Sequence, residues 1–475
     1  MTCVREPMKS TASSERRHAI VMGGSMAGLL AARVLSDSYQ RVTLVERDVL
    51  PESAESRRGV PQGRHTHGLL AGGREVLEAL FPGLSKEAVA AGALSGDIVR
   101  DSRWFLEGGC HARPESGLEG LLISRPLLES LVRERVRRLP NVRFRDGQEV
   151  TSLLMSEDRA TVIGARIGED PVPADLVVDT AGRGSRTPQW LESMGYAKPA
   201  EERVEVGLSY TTRLFRRNPA DLAGDVAVIV APTPADKRGG VMVAQENGRW
   251  TLTLISQFGP AAPTELDGFI EFARTLPAPY IYDTIRTAQP IGEAATYKYP
   301  ASVRRRYEKL DRFPNGYLVM GDAISSFNPI YGQGMTVAAF EALELQSVLA
   351  QGSHDLARRF FARAARVIDT PWSIAVGNDL RIPEVSGPRP LPLRLINAYM
   401  ARLHKAAHHD PVVALAFHRV ANLLAPPPTM LHPRIAWRVL WHWIHPRAAE
   451  FAEKAQRRQN RGFLRASSAS SAAPR

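Results

Sequence analysis

Cysteine is nearly absent from this chain of 475 residues: Cys3 and Cys110 are the two, far apart in sequence. They allow no disulfide framework and no cysteine-based zinc site, and a reducing, cytoplasmic setting is the expectation. Long apolar runs are missing too. No stretch of 18 apolar residues occurs, and the first 17 residues, MTCVREPMKSTASSERR, lack the apolar core of a secretory signal. Acidic residues are outnumbered, leaving a formal charge of +11, yet no helix-turn-helix, zinc finger or RNA-binding signature accompanies the excess. Nucleic acid is therefore not the expected partner, and the charge reads as a surface that favours anionic ligands. Also missing is any Ser-His-Asp or Cys-His arrangement for side-chain nucleophilic catalysis. What the chain does have is 44% hydrophobic content, enough for two or three domains with real cores.

Residues 18–30, HAIVMGGSMAGLL, are an apolar strand, a glycine-rich turn and a helix start. Gly23 allows the tight turn, Gly24 and the small Ser25 let backbone approach a pyrophosphate, and Met26, Ala27 and Gly28 open the helix, Gly28 allowing close packing on the strand. The unpaired amides at that helix start suit a dinucleotide phosphate. A second strand, RVTLVE, ends at Glu46, 18 residues after Gly28, where a carboxylate accepts from a ribose diol and repels a 2'-phosphate. NADP is disfavoured, whereas FAD and NAD both remain. Arg47 follows Glu46 and joins the candidate cofactor residues.

Two later stretches narrow the choice. Residues 174–195, ADLVVDTAGRGSRTPQWLESMG, are a strand into a corner with Gly182, Gly184, Ser185 and Arg186. Residues 316–345, GYLVMGDAISSFNPIYGQGMTVAAFEALEL, are a strand, Gly321-Asp322, a loop with Pro329, then Gly332-Gln333-Gly334-Met335 opening a long apolar helix. In this order and spacing the three stretches resemble the class A, p-hydroxybenzoate hydroxylase-like, FAD-dependent monooxygenases. The middle stretch departs from that family, since Asp179 is followed by Thr180 and Ala181 before Gly182, where the family has Asp directly followed by Gly. Residues 59–84, GVPQGRHTHGLLAGGREVLEALFPGL, are similar to the corresponding segment of bacterial polyether-antibiotic epoxidases.

The resemblance implies FAD as the dinucleotide, Asp322 on its ribitol chain, and Gly332, Gly334 and Met335 at the flavin ring, where a helix N-terminus favours the anion of reduced flavin. It also implies contact of Arg125 with FAD, at the start of a helix expected near Pro126. Arg64, beside His65 and His67, is the candidate for the flavin's reacting edge; the two histidines lack a third ligand, so no metal is expected. Within 200–300, alternating runs predict a sheet over the flavin, with Tyr210, Thr212, Gln245 and Gln257 as polar candidates for a substrate pocket. Tyr210 is the second candidate catalytic side chain.

The implied architecture is α/β: a Rossmann-like FAD-binding domain of GR2 type, interleaved with a mixed β-sheet substrate domain, plus a C-terminal helical region. Its expected divisions are a disordered leader at 1–16, FAD domain at 17–190 with 59–105 contributing to the pocket, substrate sheet at 191–295, FAD domain again at 296–375, helices at 376–465 and a tail at 466–475. The implied chemistry is oxygen transfer from a flavin C4a-hydroperoxide to a bulky hydrophobic natural product, by olefin epoxidation or hydroxylation. Electrons would come from NAD(P)H or a partner flavin reductase, since no second dinucleotide fingerprint occurs. The competing readings are an FAD-dependent reductase or dehydrogenase acting on isoprenoid double bonds and a flavin-dependent halogenase. Near the C-terminus, Trp437, Leu440, Trp441 and Ile444 fall at i, i+3, i+4, i+7. That stripe is expected to pack on the chain's own body, with membrane contact the less favoured use.

Overall fold

The run HAIVM at His18–Met22 is buried at every position, as a strand covered on both faces of a parallel sheet must be. The computed structural model describes residues 16–445. Its five-stranded parallel sheet has the order Tyr317–Val319, Leu176–Asp179, His18–Met22, Arg41–Glu46, Val142–Asp146. Each of the three stretches singled out in the sequence therefore leaves the sheet from one of three adjacent strands. Two helices that follow these strands, Met26–Ser36 and Gly334–Ala350, pack on each other through runs of small and aliphatic residues.

The described chain divides into two compact units, one of residues 16–93, 123–205 and 300–375, the other of 94–122, 206–299 and 376–445. The segment 94–122, which the sequence assigns in part to the first FAD portion, belongs to the second unit. The reason is pairing: Ser102–Leu106 adds in parallel to Ala227–Val230 and makes the sheet mixed.

In the second unit the strands run in the order Pro290–Arg305, Glu201–Arg216, Arg249–Gln257, Arg238–Gln245, Ala227–Val230, Ser102–Leu106. Antiparallel register sorts their side chains onto two faces. Phe215, Met242, Trp250, Leu252 and Leu254 form one face and close a core with Phe269 and Ala273 of helix Leu266–Arg274 and Ile281 and Ile285 of helix Tyr280–Ile285. Leu208, Tyr210, Thr212, Gln245, Thr253 and Gln257 share the opposite face. The mixed alternation TLTLISQ in Arg249–Gln257 thus reads as one apolar and one polar face, both buried.

The C-terminal helices Leu391–Ala407, Pro411–Ala421 and Pro433–Ile444 pack on one another. Asp410 caps the middle one by accepting from Val412 N, and takes the guanidinium of Arg438 at 2.7 Å from the last. Here the structure corrects the sequence. The stripe of Trp437, Leu440, Trp441 and Ile444 is exposed, by 64%, 38%, 47% and 59%. Ile435 and Val439 on the other side of the same helix do the packing. Periodicity identifies an apolar face; it does not say which way that face points. Among the described residues no helix is long and apolar enough to cross a membrane.

Candidate functional site

The first turn is built around contacts that leave no room for a Cβ. Gly23 has φ +103°, and a Cβ on Gly28 would lie 1.8 Å from the Gly23 carbonyl oxygen. Gly24 N donates to Glu46 Oε2 at 2.7 Å, which fixes the carboxylate at the mouth of the turn. Ser25 is the N-cap of helix Met26–Ser36, but its hydroxyl does not cap. The Ser25 Oγ instead donates to Glu129 Oε2 at 3.0 Å and accepts from Arg125 Nη2 at 2.7 Å. The positive end of the helix is left without a side-chain cap, the arrangement that receives an anionic phosphate.

Around Glu46 lies a buried ion cluster. Arg57 Nη1 stands 3.1 Å from Glu46 and 3.2 Å from Asp48, and Arg57 Nε is 3.0 Å from Glu129. Arg125 and Arg133 reach Glu129 from one turn before and one turn after it on helix Arg125–Arg137, so three guanidiniums balance three carboxylates. Burial works against the Arg57 charge, yet Glu129 and Glu46 more than restore it and its pKa is raised. Burial likewise pushes the Glu129 carboxyl up, and Arg125 and Arg57 outweigh it, holding it below the usual carboxylate range.

The third stretch meets the first directly. A Cβ on Gly321, at φ +71°, would lie 2.7 Å from the Ala27 Cβ, so the Gly321-Asp322 turn can sit against the first helix only as glycine. Gly321 N donates to Glu341 Oε2 at 2.6 Å. Glu341 is fully buried on helix Gly334–Ala350, and burial raises its pKa to about 8, with Gly321 N–H opposing and Asp322 assisting. Burial also raises Asp322, against the pull of Arg125 and Arg183. At the start of helix Gly334–Ala350, which has no side-chain cap, Gln333 Oε1 and Thr336 Oγ1 are buried and have no hydrogen-bond partner among the described residues. Gly332 and Gly334 are half-buried there, Met335 is buried, and a Cβ on Gly73 would press on Thr336 Oγ1 at 2.5 Å. Orphaned polar atoms beside a glycine-lined turn fit a polar ring such as a flavin's.

The middle stretch is a structural corner. Asp179 is fully buried and accepts from Ala181 N, Ser185 Oγ and Thr187 Oγ1, with Tyr317 beside it. Thr180, where the resembled family has glycine, donates its hydroxyl to the Met22 and Gly23 carbonyls and so holds the first turn. Arg186 lies over the Trp190 ring.

The remaining candidates are dispersed. Arg47 and Arg64 are exposed. His65 is buried and His67 Nδ1 is bonded to the His65 carbonyl, and burial lowers both imidazoles to about 4. Tyr210, Thr212, Gln245 and Gln257 belong to the second unit, all buried on one sheet face. Burial raises the Tyr210 hydroxyl well above its usual pKa, and both amide atoms of Gln257 lack a partner among the described residues. Arg57, Glu129 and Glu341 escaped the sequence reading. A signal existed for two of them: Glu129 lies at i+4 from Arg125, and Glu341 interrupts an apolar helix.

Comparison with known proteins places the chain in a family. The model of a family described as FAD binding domain matches residues 16–359. Protein Rv3254 of Mycobacterium tuberculosis is 37% identical over 441 residues, covering 88% of this chain and 92% of its own length. Kynurenine 3-monooxygenase of Salinispora tropica is 28% identical over 355 residues, 70% of this chain and 73% of its own. The crystal structure of p-nitrophenol 4-monooxygenase PnpA from Pseudomonas putida shares the fold, with a TM-score of 0.61 at 16% identity, covering 86% of this chain and 99% of that one.

Proposed function

The chain belongs to the FAD binding domain family, and from that premise we propose that it is an FAD-dependent monooxygenase that transfers one oxygen atom of O2 to a bulky hydrophobic natural product, by olefin epoxidation or hydroxylation. The observation that carries this reading is the junction of Ala27 with Gly321, which joins the adenine-end turn to the redox-end turn in one cradle. A sequence relative named as a monooxygenase supports the reaction class. Bound FAD, reduced by NAD(P)H or a partner reductase, supplies the electron transfer and O2 activation that side chains cannot.

The chain's own residues hold and tune. Gly23 to Gly28 and the uncapped helix end take the pyrophosphate, Glu46 takes the ribose diol with Arg57 neutralising it, and Arg125 braces Ser25. Asp322 takes the ribitol hydroxyls, with Gly321 fixed through Glu341. Gly332, Gly334 and Met335 present backbone to the ring, and the helix that starts there favours negative charge on it. Gln333 and Thr336 gain the partners they lack. The sheet face of Tyr210, Thr212, Gln245 and Gln257 selects substrate, its threonine and aliphatic neighbours excluding water.

The test is the visible spectrum of the purified protein followed by oxygen uptake with NAD(P)H and candidate olefins and arenes. We expect oxidised-flavin absorbance, O2 consumption that rises with substrate, and an Asp322→Ala variant that stays folded with little bound flavin. An Asp322→Ala protein with full FAD occupancy overturns the site. Oxygen-independent turnover of an isoprenoid double bond replaces the reading with a reductase, and strict halide dependence replaces it with a halogenase.

A further inference from the structure

Apolar exposure is concentrated in one part of this chain. Nine of the thirteen exposed large apolar side chains among the described residues lie between Leu391 and Ile444. The helix Pro433–Ile444 has two apolar sides, an inner one of Ile435 and Val439 and an outer one of Trp437, Leu440, Trp441 and Ile444, with the Trp443 ring also exposed. Three of the chain's seven tryptophans are on this helix.

Charge is concentrated in the same part. Residues 391–445 hold six Arg and Lys against one Asp and no Glu, a net +5. Between 391 and 445 the sole carboxylate is Asp410. It is buried and committed to Arg438 and the Val412 amide, so the described residues of this stretch expose no carboxylate. Arg394, Lys405, Arg419 and Arg434 are exposed, and Arg402 lies 4.3 Å over the Trp443 ring.

Exposed indoles, one of them under a guanidinium, in a helical region with exposed cations and no exposed carboxylate among its described residues match the chemistry of an anionic bilayer surface: tryptophan prefers the headgroup level, and arginine and lysine meet lipid phosphates. A second copy of this chain is a poorer occupant, because a two-fold contact would set one cationic patch against another. We infer that the outer face of the Pro433–Ile444 helix docks the protein on an anionic lipid surface, lying in the headgroup plane without crossing. A helix of 12 residues spans about 18 Å, too short for a bilayer core. The inference does not depend on the flavin reading.

The experiment is co-sedimentation of the purified full chain with vesicles of phosphatidylcholine alone or with about one third phosphatidylglycerol. We expect partition into the mixed vesicles at least about tenfold stronger than into neutral ones, weakening as salt is raised, with a blue shift of tryptophan emission. The Trp437→Gln/Trp441→Gln double variant should lose about tenfold or more of this partition while keeping its melting temperature. Partition that the double variant leaves unchanged overturns the inference. So does a monomer that ignores the mixed vesicles, which would mean the chain covers this face itself. A dimer in sedimentation velocity that the double variant dissolves would make a second copy the occupant, and preference for a single-stranded oligonucleotide over vesicles would make the patch a nucleic-acid site.

Discussion

The cradle around Glu46 and the C-terminal helices bury polar groups by opposite means. In the cradle the buried groups are ions, matched in number and sign: Glu46, Asp48 and Glu129 against Arg57, Arg125 and Arg133. Under the C-terminal helices, apart from the capping Asp410 paired with Arg438, they are neutral rings. His111, His404 and His418 are all buried and form a chain, with His404 Nδ1 3.2 Å from His111 Nε2 and His111 Nδ1 3.4 Å from His418 Nε2. Phe417 and His408 close around them. Ions that stay charged suit a site that handles a charged nucleotide, whereas rings that must stay neutral make a region whose integrity depends on pH.

Acid should expose the contrast most strongly. Burial depresses the pKa of His404 and His418 to about 3 and that of His111 further still, each neighbour adding to the effect on His111. A histidine depressed in the fold contributes stability that is present above its unfolded pKa of about 6.5 and is lost as pH falls toward the folded value. Between pH 7 and pH 5 each of the three should cost on the order of 2 kcal/mol, read as a falling melting temperature, and His111→Phe should flatten that fall. A melting temperature constant over this range would show the rings to be hydrated and the contrast false.

Breaking the ion cluster comes next. Arg57→Ala leaves Glu46 and Glu129 short of a partner and should destabilise by about 3–5 kcal/mol in thermal or denaturant unfolding, with loss of bound flavin. Glu341 gives a comparable effect of the opposite pH sense. Its pKa, raised to about 8, means a contribution that is complete below pH 4.5 and lost as pH rises to about 8. Glu341→Gln should keep the Gly321 contact and be more stable than the parent by on the order of 4 kcal/mol at pH 8, the gap closing toward pH 4.5. At the small end, Trp437→Gln should change stability by less than about 0.5 kcal/mol, because that side chain is 64% exposed.

The glycine turns, their order and the strand–turn–helix context were legible because part of each requirement is local: Gly23 and Gly321 turn at positive φ, and Gly28 faces the Gly23 carbonyl of its own turn, whereas the contact of Gly321 with Ala27 was not legible. Arg57 was not legible, because its role depends on Glu46 and on Glu129, 72 residues away, and the same segment offered Arg64 with equal claim. The four polar candidates on the sheet of the second unit share a face because strand alternation is a local rule, although their burial is not. The tryptophan stripe was found as a stripe and misjudged in direction, since one helix carries two apolar sides and spacing ranks neither.

The strand order of the parallel sheet has a consequence for how the protein is made. Three adjacent strands come from residues 18–22, 176–179 and 317–319, and the Ala27–Gly321 junction needs both ends of that span. A nascent chain still threaded through the ribosome at residue 300 holds the adenine-end turn and lacks its counterpart. On the function proposed above, cofactor capture falls late in biosynthesis, and a truncated or stalled chain would accumulate as a nucleotide-free species.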